Sequence, residues 1–323
     1  MEKEKQQSIK KVVGVSKDTE TLALSELKEK FKNQPAFNYE KEKTPEIIEI
    51  ISLVNQATND VMQKYGWENI NIPPDNVHII DYKKWEDAYG DARYLNLDQA
   101  IAIQEQPYKV LFARKLFHEM IHFKSYNAAQ AVNEEETTYP EDYRKGLVIL
   151  SRDGKNIYLN NLNEAIVEEI TKMNINNLLK NPVFDNEMNN YNKIKTANIN
   201  MKSYSGLALF DDETYFAEIM NKKPKWLKII LPNLKREEGI HAIQFTYKEE
   251  RSILHTLINK LEHRQSNHTN TDEIFEIFAK AAITGSILPM ARIIENTFGH
   301  GTLRHIAELD DSIDEQKKFV ESL

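Results

Sequence analysis

Leu116-Phe117-His118-Glu119-Met120-Ile121-His122-Phe123 is the stretch from which the rest of this 323-residue chain is read. It carries His-Glu-x-x-His in a helical, apolar context. Residues four apart on a helix lie ~6 Å apart along the axis and share a face, so both imidazoles reach one metal ion with Zn–N bonds of ~2 Å. Glu119 stands ~100° round the helix, beside the metal rather than over it. From there a carboxylate takes a proton from water without becoming a ligand. Phe112, Ala113, Leu116, Met120 and Phe123 fall on one side, with Val110, Phe117 and Ile121 adjoining. Apolar residues thus cover more than half the circumference, and a buried helix is expected. Its histidine face also carries Leu111, Arg114 and Lys115.

A metal held by two histidines needs a third ligand. The chain has no cysteine, which excludes thiolate sites. A continuation with Gly three and His six residues after His122 is closed, because Ser125 and Ala128 stand there. Farther along the chain stands Leu162-Asn163-Glu164-Ala165-Ile166-Val167-Glu168-Glu169-Ile170-Thr171, which reads as a second helix. Glu164 and Glu168 share a face with Ile175, Leu178 and Leu179, while Ile166, Ile170 and Met173 make another. Glu169 points elsewhere, with Lys172, Asn176 and Lys180, to the expected solvent side. Two carboxylates on an apolar face must be paired, protonated or metal-bound. Zinc on Glu164, with Glu168 hydrogen-bonding a ligand imidazole, meets that demand. A capping box with Asn161 as N-cap and Glu164 at N3 also fits, although it leaves Glu168 unexplained.

His-Glu-x-x-His followed by Asn-Glu-x-x-x-Glu resembles the gluzincin group of zinc metallopeptidases, over roughly residues 70 to 180. The resemblance implies one Zn2+ per chain, held by His118, His122 and Glu164. It implies Glu119 as general base and Glu168 as the carboxylate behind a ligand imidazole. It further implies hydrolysis of peptide bonds in a peptide or protein substrate. The fold expected is α+β and predominantly helical, zincin-like, with a small mixed sheet, the active-site helix and a C-terminal helical lobe. Lys115 and Lys124 depart from the broader pattern, which has apolar or Thr residues at those places. Two other readings stay open: a zincin-fold scaffold without peptidase activity, and a helical interaction protein whose motif is coincidental.

Flanking sequence fits a site of this kind. Asn76–Asp81 reads as a buried strand, and Ala92–Asp98 leads into the apolar Ala100–Glu105. The latter, just before the histidine helix, is the expected sheet edge for an extended peptide. Leu147–Leu150 and Asn156–Leu159 flank Asp153-Gly154-Lys155 as a hairpin. Asn133–Tyr139 reads as a solvated acidic loop, and Asn181–Asn200 as a turn-rich loop. Thr44-Pro45 opens a helix that Gly66 closes. Helices are expected at Asp212–Asn221, Lys225–Leu231, Tyr247–Leu261, Thr271–Ala282, Pro289–Phe298 and Thr302–Leu309. His241 and Tyr247 are candidate donors to a developing oxyanion. His300 and His305, five apart, read as cap or packing residues.

The chain divides into a polar, partly disordered extension (1–43), a catalytic core (44–180) and a mainly helical lobe (181–323). Hydrophobic content of 41% and charged content of 28% are those of a soluble globular chain. A net charge of −8 argues against a nucleic-acid surface. No apolar run approaches the ~20 residues of a membrane span, and the N-terminus lacks an apolar signal core. A cytoplasmic protein with no membrane partner is expected.

Overall fold

The computed structural model describes residues 9–17, 19–21, 23–25, 39–85, 91–134, 137–198, 213–220, 239–264 and 270–323. The chain is α+β, mainly helical, with small sheets. Helix α1 (Pro45–Lys64) starts as expected: Thr44 is extended, its side chain accepts the N–H of Ile47, and Pro45 fills the first turn. It buries Ile50, Ile51, Val54, Val61 and Met62. The chain then enters a three-stranded sheet of β2 (Val77–Ile80), β3 (Ala92–Leu95) and β4 (Ala100–Gln104). Their order is β2-β4-β3, with β4 parallel to β2 and antiparallel to β3. The expectation that the strand before the histidine helix forms the edge is therefore corrected. β4 is central, and all five of its residues are buried. The edge strands are β2 and β3, and β3 is the one that borders the cleft at His118 and His122.

Helix α2 (Lys109–Lys124) carries the two histidines and is surrounded by protein. Every residue in it except Lys109 and His122 is buried, including Arg114, Lys115 and Lys124. Its first amides, at Lys109 and Val110, donate to the two carboxylate oxygens of Glu187 at 2.9 Å each. This cap from a distant helix satisfies donors that α2 itself leaves orphaned.

A second sheet runs β1 (Ile9–Val13), β5 (Asn127–Glu134), β6 (Thr137–Lys145), β7 (Val148–Leu150) and β8 (Ile157–Tyr158), in that order. Part of the 1–43 extension is thus β1, parallel to β5, with Ile9 and Val12 buried. The expected acidic loop at 133–139 is corrected to the ends of the β5–β6 hairpin, whose Asn133 and Glu134 face Thr138 and Thr137. Residues 135 and 136 lie outside the described residues. The Thr and Tyr residues of the return strand favour extended pairing. β7 and β8 pair antiparallel, as their spacing predicts.

Helix α3 (Asn160–Leu178) carries the glutamates. The expected loop at 181–200 is corrected to a short 3-10 turn and helix α4 (Asp185–Asn198). Asn181 accepts the N–H of Val183, and Phe184, Tyr191 and Ile194 bury one face. The helix expected at 212–221 is corrected to strand β9 (Thr214–Met220), antiparallel to β10 (Gly239–Gln244). Thr214-Tyr215-Phe216 is a β-favouring run with a partner strand, and that outweighs helix propensity. Lys225–Leu231 lies outside the described residues.

Helices α5 (Lys248–Arg264), α6 (Thr271–Thr284), α7 (Leu288–Phe298) and α8 (Thr302–Glu308) match expectation within a few residues. Helix α9 (Ile313–Ser322) closes the chain. One apolar core runs from Ile50 to Val320, so these helices pack on the same interior as α2 and α3. Among the described residues, no helix is long and apolar enough to cross a membrane.

Candidate metal centre

The one-turn spacing on α2 and the first turns of α3 bring His118, His122 and Glu164 together. His118 Nε2 lies 3.0 Å from His122 Nε2 and 3.2 Å from a Glu164 carboxylate oxygen. The same oxygen is 3.4 Å from His122 Nε2. Ligands ~2.0–2.1 Å from a tetrahedral ion stand ~3.3 Å from one another, so these separations fit zinc. The chemistry of the donors also fits. A proton satisfies one pair at a time, whereas a divalent ion satisfies all three. Burial alone would lower the His118 imidazole, but Glu164 and Glu168 outweigh it and hold it up at about 10. The Glu164 carboxyl is held well below its usual range against burial by His122 and His118. The pocket therefore favours positive charge.

His118 is oriented from behind. Its Nδ1–H donates to Glu168 at 3.0 Å, which aims Nε2 at His122 and Glu164. Glu168 is fully buried and carries further partners: the Arg114 guanidinium and the Thr246 N–H at 2.7 Å. Burial would raise the Glu168 carboxyl; Arg114 and His118 hold it down at about 2. Arg114 also donates to Thr246 Oγ1 at 2.7 Å and lies 5.8 Å and 6.0 Å from the ring centres of Tyr215 and Phe245. Sequence reading places Arg114 on the histidine face but gives it no task. Its position, one turn before His118, is the signal that was available. Thr246 has no comparable local signal. His122 Nδ1 lies 3.5 Å from Asn163 Nδ2, and Asn163 Oδ1 accepts the Leu147 N–H.

The alternative capping role for Glu164 is not what the structure has. Helix α3 begins at Asn160, after Leu159 in a left-handed conformation (φ 61°). Its first amides, Asn160 and Asn161, donate instead to the Asp310 carboxylate. The Asn161 side chain bonds the Asp310 carbonyl and Gln316. Glu164 is thereby left to the histidines. The solvent-side expectation for Glu169 is corrected as well. Glu169 is buried against Arg251 at 2.5 Å and His255 at 3.0 Å, because α5 packs along α3. Its charged neighbours on α3 suggested solvent, but its cationic partner comes from 82 residues on.

Glu119 stays outside the donor triad. One of its oxygens accepts the Tyr94 N–H of edge strand β3 at 2.7 Å. Tyr247 follows Thr246 in a left-handed conformation (φ 56°), uncommon for an aromatic residue. Its ring stacks on His118 at 5.6 Å. Glu164 and burial hold its phenol well above the usual range, so it remains a donor. The His241 side chain lies outside the described residues. His300 is exposed near Glu295, and His305 packs edge-on against Phe319.

The triad and Glu119 border a cleft of about 810 Å³. It is lined by residues of β3, of the β7–β8 hairpin and of the start of α3, and by Thr246 and Tyr247. Lys115 is buried in this cleft and pairs with Asp91 at 2.6 Å. Burial lowers its ammonium, with Asp91 opposing. Comparison with protein-family models, curated proteins and solved structures gives no match for this chain.

Proposed function

We propose that this protein is a cytoplasmic, zinc-dependent peptidase with a zincin-like, gluzincin-type catalytic core. The observation that carries the reading is the convergence of His118, His122 and Glu164, with Glu119 beside them on the cleft and outside the set. Bound to those three side chains, a zinc ion would polarise a substrate carbonyl and acidify a water molecule. Glu119 is the proton carrier: it takes the proton of the attacking water and returns it to the leaving amine. Arg114 and Glu168 keep the His118 ring in one tautomer and orientation. Tyr247 places a neutral phenol over the triad, where it donates to negative charge developing on the carbonyl oxygen.

β3 supports a peptide substrate in particular. Tyr94 turns its N–H away from β4 toward Glu119. Asp91 turns its carbonyl toward β4, accepting from Gln104 N at 3.0 Å. By the alternation of an antiparallel pair, the N–H and C=O of Ala92 share the outward side with Tyr94. An extended peptide adding to that edge lies across Glu119.

The test starts with zinc content by elemental analysis on protein purified without chelator or affinity metal. One equivalent in wild type, lost in His118→Ala and Glu164→Ala, supports the site. Glu119→Gln should keep the zinc while hydrolysis of a peptide library falls by orders of magnitude. Hydrolysis that survives this change removes Glu119 from the assigned role. Zinc bound with no hydrolysis in wild type favours the scaffold reading.

A further inference from the structure

We propose that the β7–β8 hairpin is a specificity shelf, selecting a large apolar side chain (leucine, isoleucine or phenylalanine) beside the scissile bond. The inference rests on the peptidase reading and deepens it. Val148 and Leu150 are two apart on β7 and so share a face of the strand. Leu150 pairs directly with Ile157 on β8. All three border the cleft, and residues opposite one another on paired strands present one continuous surface. Ile157 is 47% exposed, although nothing in the hairpin's own folding requires a large aliphatic residue in water. Two of the six large apolar residues exposed among the described ones, Ile157 and Tyr247, border this cleft.

Two further observations favour an apolar occupant over a charged one. Away from Glu119 and the triad, the acidic groups bordering the cleft are already neutralised, Asp91 by Lys115 and Asp142 by Lys145, each at 2.6 Å. Asp142 also accepts from Asn96 at 2.8 Å. A basic substrate side chain would have to displace one of these pairs. The shelf is also close to the triad along the chain, since β8 ends at Tyr158 and Glu164 comes within the first turns of α3. In the proposed complex a peptide on β3 shares the cleft with Glu119, Leu150 and Ile157, and one of its side chains rests on the last two.

The experiment uses the full chain loaded with zinc and a randomised peptide library, comparing wild type with Ile157→Asp and Leu150→Asp. Ile157 is half exposed, so its replacement leaves the fold intact even if Leu150→Asp does not. Leucine, isoleucine or phenylalanine should be selected at one position next to the cut. Ile157→Asp should lower kcat/KM for such peptides by about tenfold or more relative to an alanine peptide. Binding gives a separate readout. In zinc-loaded Glu119→Gln protein, an acetylated leucine-containing peptide amide should shift the methyl resonances of Leu150 and Ile157. Cleavage without apolar preference, or a preference that Ile157→Asp leaves unmoved, overturns the shelf while the peptidase stands. Zinc-loaded protein that neither binds nor cleaves any peptide overturns both.

Discussion

Asp310 Oδ1 accepts the Asn161 N–H at 3.2 Å, and the other carboxylate oxygen accepts from Asn160. A residue between α8 and α9 thus caps the helix that presents Glu164, tying the C-terminal helices to the metal centre. A carboxylate at a helix N-terminus satisfies orphan amides and complements the helix dipole. Asp310→Ala should lower stability by about 1–2 kcal/mol. It should also weaken zinc binding, because the first turns of α3 fix the Glu164 carboxylate. Asp310→Asn, which still accepts one bond, should recover part of both. Urea denaturation read beside a zinc competition titration checks this. Stability lost with zinc affinity unchanged would leave Asp310 a structural cap alone.

Arg114 and Glu168 form a buried pair whose removal should be felt at two levels. Arg114→Met leaves the Glu168 carboxylate buried with His118 and Thr246, and should cost about 3–5 kcal/mol. Zinc affinity should fall about 10- to 100-fold as the His118 ring loses its fixed partner. The pH dependence has a definite sign. The Glu168 carboxyl is held down at about 2, below its ordinary 4.5. Its contribution is therefore full above pH ~4.5 and is lost as pH falls toward 2. In the variant this loss should begin at higher pH, measurable as urea midpoints between pH 2 and 5.

The legible parts of this chain were those in which local pattern and tertiary role agree. The i,i+4 histidines, the shared face of Glu164 and Glu168, and the Asp153-Gly154 hairpin all depend on short-range geometry. The misread parts depend on distant partners. Glu169 looks solvent-facing until Arg251 arrives from α5, and Asn161 looks like a cap until Asp310 takes that task. Residues 185–198 look like a polar loop by composition. Yet Tyr191 and Ile194, with Phe184 just ahead of the helix, bury one face, and Glu187 from that helix caps α2. Composition averaged over the segment hid a periodicity that only three residues carry.

Tyr247 separates transition-state stabilisation from metal binding. Its ring covers His118, and its hydroxyl faces the negative field of Glu164, which keeps it protonated. Tyr247→Phe preserves the ring and removes only the hydroxyl. Zinc content and KM should stay near wild type, while kcat falls about 10²-fold. Steady-state kinetics on any peptide the wild type cleaves decides it. A rise in KM at constant kcat would make the hydroxyl a ground-state contact instead.

Lys124, two residues past His122, is fully buried, and among the described residues no carboxylate forms an ion pair with it. Nζ donates to Asn55 O at 2.9 Å, Thr58 Oγ1 at 2.7 Å and Asn59 Oδ1 at 2.8 Å, fastening α2 to α1. Burial pushes the amine down to about 7, with Asp60 opposing only in part. Between pH 7 and ~10.5 the unfolded chain therefore binds a proton that the folded chain has lost. Stability should rise with pH across that window, by at most about 1.4 kcal/mol per pH unit from this group. Below pH 7 both states hold the proton and the slope disappears. Lys124→Met removes the titrating group, so its denaturation midpoints should lack this slope between pH 7 and 10. Wild-type and variant curves that stay parallel over that range would mean the ammonium keeps its charge in the folded core.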